Sequence, residues 1–210
     1  MGSGFGAVDG LFASLHNIRD DKRVAFRARL KHLQRLGFPP GVNTGTGRAA
    51  VYGGEQIFLL GVALEMLQLG LSPERAVSVI RNNQTPISAA ARIALTGIEM
   101  TPSGPRQMFL RFDPSALNEL STHPADEAEK TLWYGADVLI ADFIKKAEKV
   151  GTRLALINVT ALILDIRSVL HVDVGSVAVT DFESGLAAWI ATDPYDEYPG
   201  EPKDIDDGDS

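Results

Sequence analysis

Arg27, Lys31 and Arg35 recur at every fourth position, in a stretch where no acid occurs between Asp21 and Glu55. At helical spacing these side chains stack along one side. Arg23 and Arg29 flank the stripe and Gln34 lies near it. Such an array neutralises phosphates and carries long donors that reach base edges, where arginine pairs best with guanine. A basic stripe on an isolated helix is more often a plain solvated face, so the neighbouring elements decide between the two readings.

Other residues capable of chemistry form no constellation. The segment Gly41-Val-Asn-Thr-Gly-Thr-Gly47 is glycine-rich like a phosphate loop. It lacks the Gly-Lys-Ser/Thr ending and follows a helical pattern where a phosphate loop follows a strand. The histidines, His16, His32, His123 and His171, are scattered, and His171-Val-Asp173 alone makes no metal site. Asp137 and Asp142 share a helix face poorly, and no serine has a nucleophile-elbow context. Trp133, Tyr134 and Trp189 lie near apolar stretches and read as core or interface anchors before they read as an effector pocket. With no cysteine, disulfides, thiolate metal sites and thiol redox sensing are excluded. The expectation is a non-enzyme without metal or cofactor.

Charge is unevenly spread. The net formal charge of the 210 residues is -7, yet residues 1–50 hold eight Lys/Arg against three acids, a balance of +5. Residues 83–210 hold ten basic and twenty-one acidic residues, a balance of −11. A basic module finds a polyanion while the remainder keeps the chain soluble. The opening MGSGFGAVDG has no basic and apolar leader pattern, and stretches such as Leu154–Leu164 are too short to span a bilayer. A cytoplasmic, nucleoid-associated protein without membrane contact is expected.

The elements around the stripe follow from periodicity. The first residues are glycine-rich and expected to fray. Val8–Leu15 is a short helix, His16–Asp20 a turn, and Asp20 or Asp21 the cap of a helix reaching about Leu36. Phe26, Leu30 and Leu33 form its apolar face, opposite the basic stripe. Gly37 and Pro39-Pro40 stop it. Residues 37–53 predict a two-stranded wing with its tip at Asn43–Gly47. Glu55–Leu69 is apolar around much of its circumference and so largely buried, and Gly70 ends it. Ser72-Pro-Glu-Arg starts the next helix, with Ser72 as N-cap and proline at the first helical position.

Residues 82–86 read as a linker to a second unit. There, Ser88–Leu95 is a short helix, Thr101–Pro105 a turn, Gln107–Phe112 a strand, Ser115–Leu120 a helical turn and Ala136–Val150 an amphipathic helix. Arg153–Ile157 is either a strand before a helix capped by Asn158 or the start of one unbroken helix. Val174–Val179 is a last strand. From Asp193 the acidic, proline-containing sequence is expected to be disordered.

The runs Leu30-Lys-His-Leu-Gln-Arg-Leu-Gly-Phe-Pro39, Arg48-Ala-Ala-Val-Tyr52 and Leu69-Gly-Leu-Ser-Pro-Glu-Arg-Ala-Val77 resemble the DNA-binding domain of MerR-type regulators. The resemblance covers residues 8–82 and is most specific from Tyr52 to Ile80. It implies a winged helix-turn-helix whose second helix enters the major groove through Arg27, Lys31 and Arg35. Arg48 and Tyr52 would be wing contacts to the DNA backbone. Arg48 and Tyr52 stand four apart, where the family has two. The family's long dimerising helix is missing: Pro86, Gly97, Pro102 and Pro105 interrupt it. The promoter-untwisting mechanism therefore does not carry over.

The expected fold class is α+β, mainly helical. A winged helix-turn-helix spans 8–82, a small α+β unit for dimerisation, effector sensing or interaction spans 88–190, and the acidic tail spans 193–210. The expected function is transcriptional regulation through double-stranded DNA, with DNA-binding residues Arg23, Arg27, Arg29, Lys31, Gln34, Arg35, Arg48 and Tyr52. A homodimer through the second unit and a contact with RNA polymerase are the further expected partners. The rival expectations are a protein-interaction adaptor and a phage-type packaging or recombination factor.

Overall fold

A computed structural model describes residues 2–42, 49–97, 105–114, 132–145 and 153–192. The fold is mainly helical with two small sheets, in keeping with the α+β class. A short strand β1 (Ser3–Gly4) leads into α1 (Phe5–Leu15). A single 3-10 turn at Asp20–Lys22 precedes α2 (Arg23–Arg35). Strand β2 (Val51–Tyr52) enters α3 (Gly54–Gln68), followed by α4 (Pro73–Asn82) and α5 (Gln84–Gly97). Strands β3 (Met108–Phe112) and β4 (Trp133–Ala136), helix α6 (Asp137–Lys145) and strand β5 (Ala155–Asn158) come next. Helices α7 (Val159–Asp173) and α8 (Ser176–Ile190) complete the described chain.

The helices α1, α2 and α3 end in the same way. Each is followed by a residue with positive φ, Asn17, Gly37 and Gly70 respectively. The next residue's N–H reaches back into the last turn: Ile18 to Ala13 O, Phe38 to Leu33 O and Leu71 to Met66 O. These are Schellman ends, in which an apolar residue after the cap folds onto the core while orphan carbonyls find donors. The tight α1–α2 turn follows from this ending. Asp20 and Asp21 supply no side-chain cap to the 3-10 turn or to α2; Asp21 instead pairs with Arg19 at 2.8 Å.

The N-terminus is not frayed: Ser3–Gly4 pairs antiparallel with Val51–Tyr52. The strand at Val51 thus takes its partner from the start of the chain, and Phe38–Val42 forms no strand. The expected tip, residues 43–47, lies outside the described residues. Residues 82–86 are no linker. Only Asn83 separates α4 from α5, and Pro86 falls in the first turn of α5, where its missing N–H costs nothing. Asn83 itself is buried and donates to Val79 O at 2.7 Å.

In the second half, β3 is the centre of an antiparallel sheet ordered β4-β3-β5. Leu110 lies opposite Tyr134 on one side and Ile157 on the other. Met108, Leu110 and Phe112 face the core. Asn158 ends β5 and caps α7 by accepting from Ala161 N at 3.0 Å, which resolves the strand-or-helix ambiguity at Arg153 in favour of a strand and a separate helix. Thr160, fully buried, donates to Arg106 O and accepts from Met108 N, clasping the start of α7 to the start of β3. The expected strand at Val174–Val179 is instead the join of two helices: Val174 caps the end of α7, Gly175 precedes α8, and Ser176–Val179 is its first turn. The β-branched residues suggested a strand, but Phe182, Leu186 and Ile190 bury one face at helical spacing. The turn at Ser115–Leu120, the last residues of the expected Ala136–Val150 helix and the acidic segment 193–210 lie outside the described residues.

One apolar core runs from Val8 to Ile190 and joins both expected units. Its axis is α3, buried at Ile57–Leu64 and Met66. Helix α8 crosses the start of α3 at glycine against glycine. A Cβ on Gly54 would lie 2.0 Å from Phe182 O, and one on Gly185 would lie 2.7 Å from Gly54 N. Only the absence of side chains at both positions lets the helices meet this closely.

Candidate nucleic-acid interface

Helix α2 buries Phe26, Leu30 and Leu33 and turns its other side outward. Opposite them Lys31 and Arg35 are exposed together with Val24 and Ala28, while Arg29, also exposed, lies about 160° around the helix from Lys31, on the flank that carries His32. The helix contains no acid, and its outward Ala28 leaves room for close approach to another surface. Among the described residues, Arg29, Lys31 and Arg35 make no ion pair.

The helix is anchored from several directions. From α1, Asp9 reaches it with a carboxylate that is 2% exposed. Asp9 Oδ2 accepts from Arg27 Nη2 at 2.7 Å, from Arg27 Nε at 3.2 Å and from Arg23 Nη2 at 3.0 Å. From β2, the Tyr52 hydroxyl accepts from Gln34 Nε2. From α4, Glu74 meets His32 Nε2 at 2.9 Å. Arg81 Nη2, also on α4, donates to Leu36 O at 2.7 Å and to Gly37 O at 3.1 Å. A guanidinium at this end satisfies free carbonyls and meets the negative pole of the helix dipole. Gln56 on α3 accepts from Gly53 N and donates to Pro40 O, tying the segment after α2 to the start of α3.

The expected site residues therefore divide by role. Among the described residues, Lys31 and Arg35 stand free on the outer face and Arg29 on one flank. Arg27 is half in each role, with its side chain 50% exposed and one edge held by Asp9. Arg23 is less exposed and ties α1 to α2. Gln34 is engaged with Tyr52. Tyr52 is 1% exposed, so it braces α2 from within instead of projecting outward. Burial raises the pKa of its hydroxyl, opposed by the bond from Gln34. Arg48 lies outside the described residues.

Sequence reasoning missed Asp9, Glu74 and Arg81. Asp9 carried a legible signal: it is the one acid in α1, placed beside Val8 and three residues before Phe12 on the apolar face. A lone carboxylate on such a face needs a cationic partner, and Arg23 and Arg27 are spaced to supply one.

Near this framework lies His16, buried between the Phe12 and Phe26 rings with centroids at 6.2 and 6.4 Å. Burial lowers its pKa. Its Nδ1 lies 3.9 Å from Glu65 Oε1, and Glu65 is itself raised by burial and by Asp165.

Among the described residues, no group of His, Asp or Glu side chains is arranged to hold a metal ion. No described helix is long and apolar enough to cross a membrane. No protein-family model matches the chain, and no curated protein or solved structure matches it.

Proposed function

We propose that the chain is a sequence-specific regulator of transcription that binds double-stranded DNA, with α2 as the recognition helix of a helix-turn-helix. The observation that carries this reading is the exposed surface of α2: Lys31 and Arg35 on the outer face with small residues beside them, Arg29 exposed on one flank, Arg27 half-exposed on the other, and no acid. A cationic helix with a slim outer face, braced at its back and both ends, fits the width of a major groove. The tight α1–α2 turn and the following β2–α3–α4 unit supply the setting that distinguishes such a helix from an ordinary solvated one. The acid-rich second half keeps the basic face from being a general polyanion sponge.

Selection from a random duplex pool tests the reading. The protein is expected to enrich a short motif, with affinity falling steeply as salt rises. Recovery of an unenriched pool at all salt concentrations would contradict it.

One observation favours a second reading, that of an interaction adaptor. Trp133 is 61% exposed and lies in the second half with exposed Val138, Leu139 and Ile144 on α6. Arg111 stacks beneath Trp133 and against Phe143, its guanidinium carbon 3.5 Å from the Phe143 centroid. Exposed apolar surface of this kind marks protein contacts. In a DNA-binding regulator these exposed residues would serve a homodimer or the transcription machinery; in an adaptor they would be the principal contacts.

A further inference from the structure

We infer that Asp9 is a positioning residue that makes Arg27 the specificity-determining side chain of α2, an inference that rests on the DNA-binding reading above. Asp9 is buried on α1, its Oδ2 takes three arginine N–H groups, and its Oδ1 has no hydrogen-bond partner. Among the described residues the carboxylate therefore serves the two arginines alone. Arg27 gives Asp9 the edge formed by Nε and Nη2 and keeps its outer side half in solvent. A guanidinium pinned along one edge presents its remaining donors in a fixed plane. Bidentate recognition of guanine O6 and N7 needs that geometry, whereas a phosphate contact needs charge with little orientation.

Arg29, Lys31 and Arg35 have no such anchor and suit phosphates. Arg23 meets the same Asp9 oxygen and completes the lock from the preceding turn. A buried ion pair of this kind gives little stability beyond what a well-packed apolar replacement supplies. Its distinctive product is the fixed direction of Arg27.

The test compares affinity for the duplex selected by the wild-type protein with affinity for a scrambled duplex of the same length. Asp9→Asn is expected to lower that ratio about tenfold, within the roughly five- to 150-fold worth of one good bidentate pair. Preference at one guanine position is lost, while affinity for the scrambled duplex and its salt dependence stay within about twofold. Arg27→Lys, which keeps the charge, is expected to give the same loss, and the double variant to lose no more than either single one. Lys31→Ala is expected to weaken both duplexes by the same factor. An unchanged ratio in Asp9→Asn, or an equal loss on both duplexes, would overturn the positioning role. If Asp9→Asn does not fold, an unchanged ratio in Arg27→Lys overturns it equally. A wild-type protein that binds no duplex would remove the DNA-binding reading and this inference together.

Discussion

Arg27 shows how one side chain answers to both the fold and the surface. Its spacing with Lys31 and Arg35 was plain in the sequence, but the buried carboxylate that holds it belongs to another helix. Replacing Arg27 therefore disturbs the fold as well as the face. Arg27→Ala leaves Asp9 with Arg23 as its remaining partner and is expected to cost about 1–3 kcal/mol of stability. Lys31→Ala, which breaks no internal bond, should stay within about 0.5 kcal/mol; urea denaturation midpoints compare the two. His16 makes a second prediction at this level. Its native pKa lies below the ordinary 6.5, so the unfolded chain takes up a proton that the native state refuses. Stability is thus full above pH 6.5 and falls as the pH drops below it. Glu65 works in the opposite sense: its raised pKa gives stability below 4.5 that is lost as the pH rises through its native value. Subtracting the profile of His16→Phe from that of the wild type isolates the histidine, and a difference independent of pH would contradict its buried, neutral state.

Helix ends were the most legible elements, because their chemistry is local. Gly37, Gly70, Ser72 and Asn158 each did in the structure what their residue types suggest, and Asn158→Ala is expected to cost about 1 kcal/mol in thermal or urea unfolding through loss of its cap on α7. The elements misread were those decided at long range. Ser3–Gly4 becomes a strand only because Val51–Tyr52 lies beside it. Residues 82–86 read as a linker from composition, yet a helix begins at Gln84, drawn back by the face that Ile87, Ala90, Ala91 and Ala94 bury further along it. Val174–Val179 has strand-like residues, but Phe182, Leu186 and Ile190 after them are buried at helical spacing and extend the helix back to Ser176. The candidate site was legible to the same degree. The outer face of α2 could be read from spacing, whereas the inward engagement of Tyr52 and the anchors Asp9 and Arg81 depend on packing between elements. The glycine crossing of α3 and α8 is a sharp test of that packing. Gly185→Ala is expected to destabilise by about 1–3 kcal/mol or more, because the added methyl meets backbone and no flexible side chain can yield.

Across the molecule, the basic helix and the acid-rich half share one core, so the two cannot be separated without exposing α3. A fragment ending at residue 85 would uncover Phe58 and the face around Gly54, which α8 covers in the full chain. It is expected to lose the dispersed amide spectrum of a folded domain, while the full chain unfolds in a single transition. The arrangement also gives the molecule a polarity of charge: a cationic face presented by a body whose balance is acidic. The central claim is that this face meets the phosphates of duplex DNA, and the salt dependence of binding reads it most directly. The comparison is between the wild type and the triple variant Arg29→Ala/Lys31→Ala/Arg35→Ala, with Arg27 left in place because it anchors Asp9. Fluorescence anisotropy on the selected duplex, between about 50 and 200 mM salt, should give a steep decline in log affinity for the wild type. In the triple variant the slope should be shallower by about 0.9 for each phosphate that is no longer neutralised, with stability unchanged. Equal affinity and equal slope in the two proteins would contradict the assignment of α2 as the DNA-binding surface.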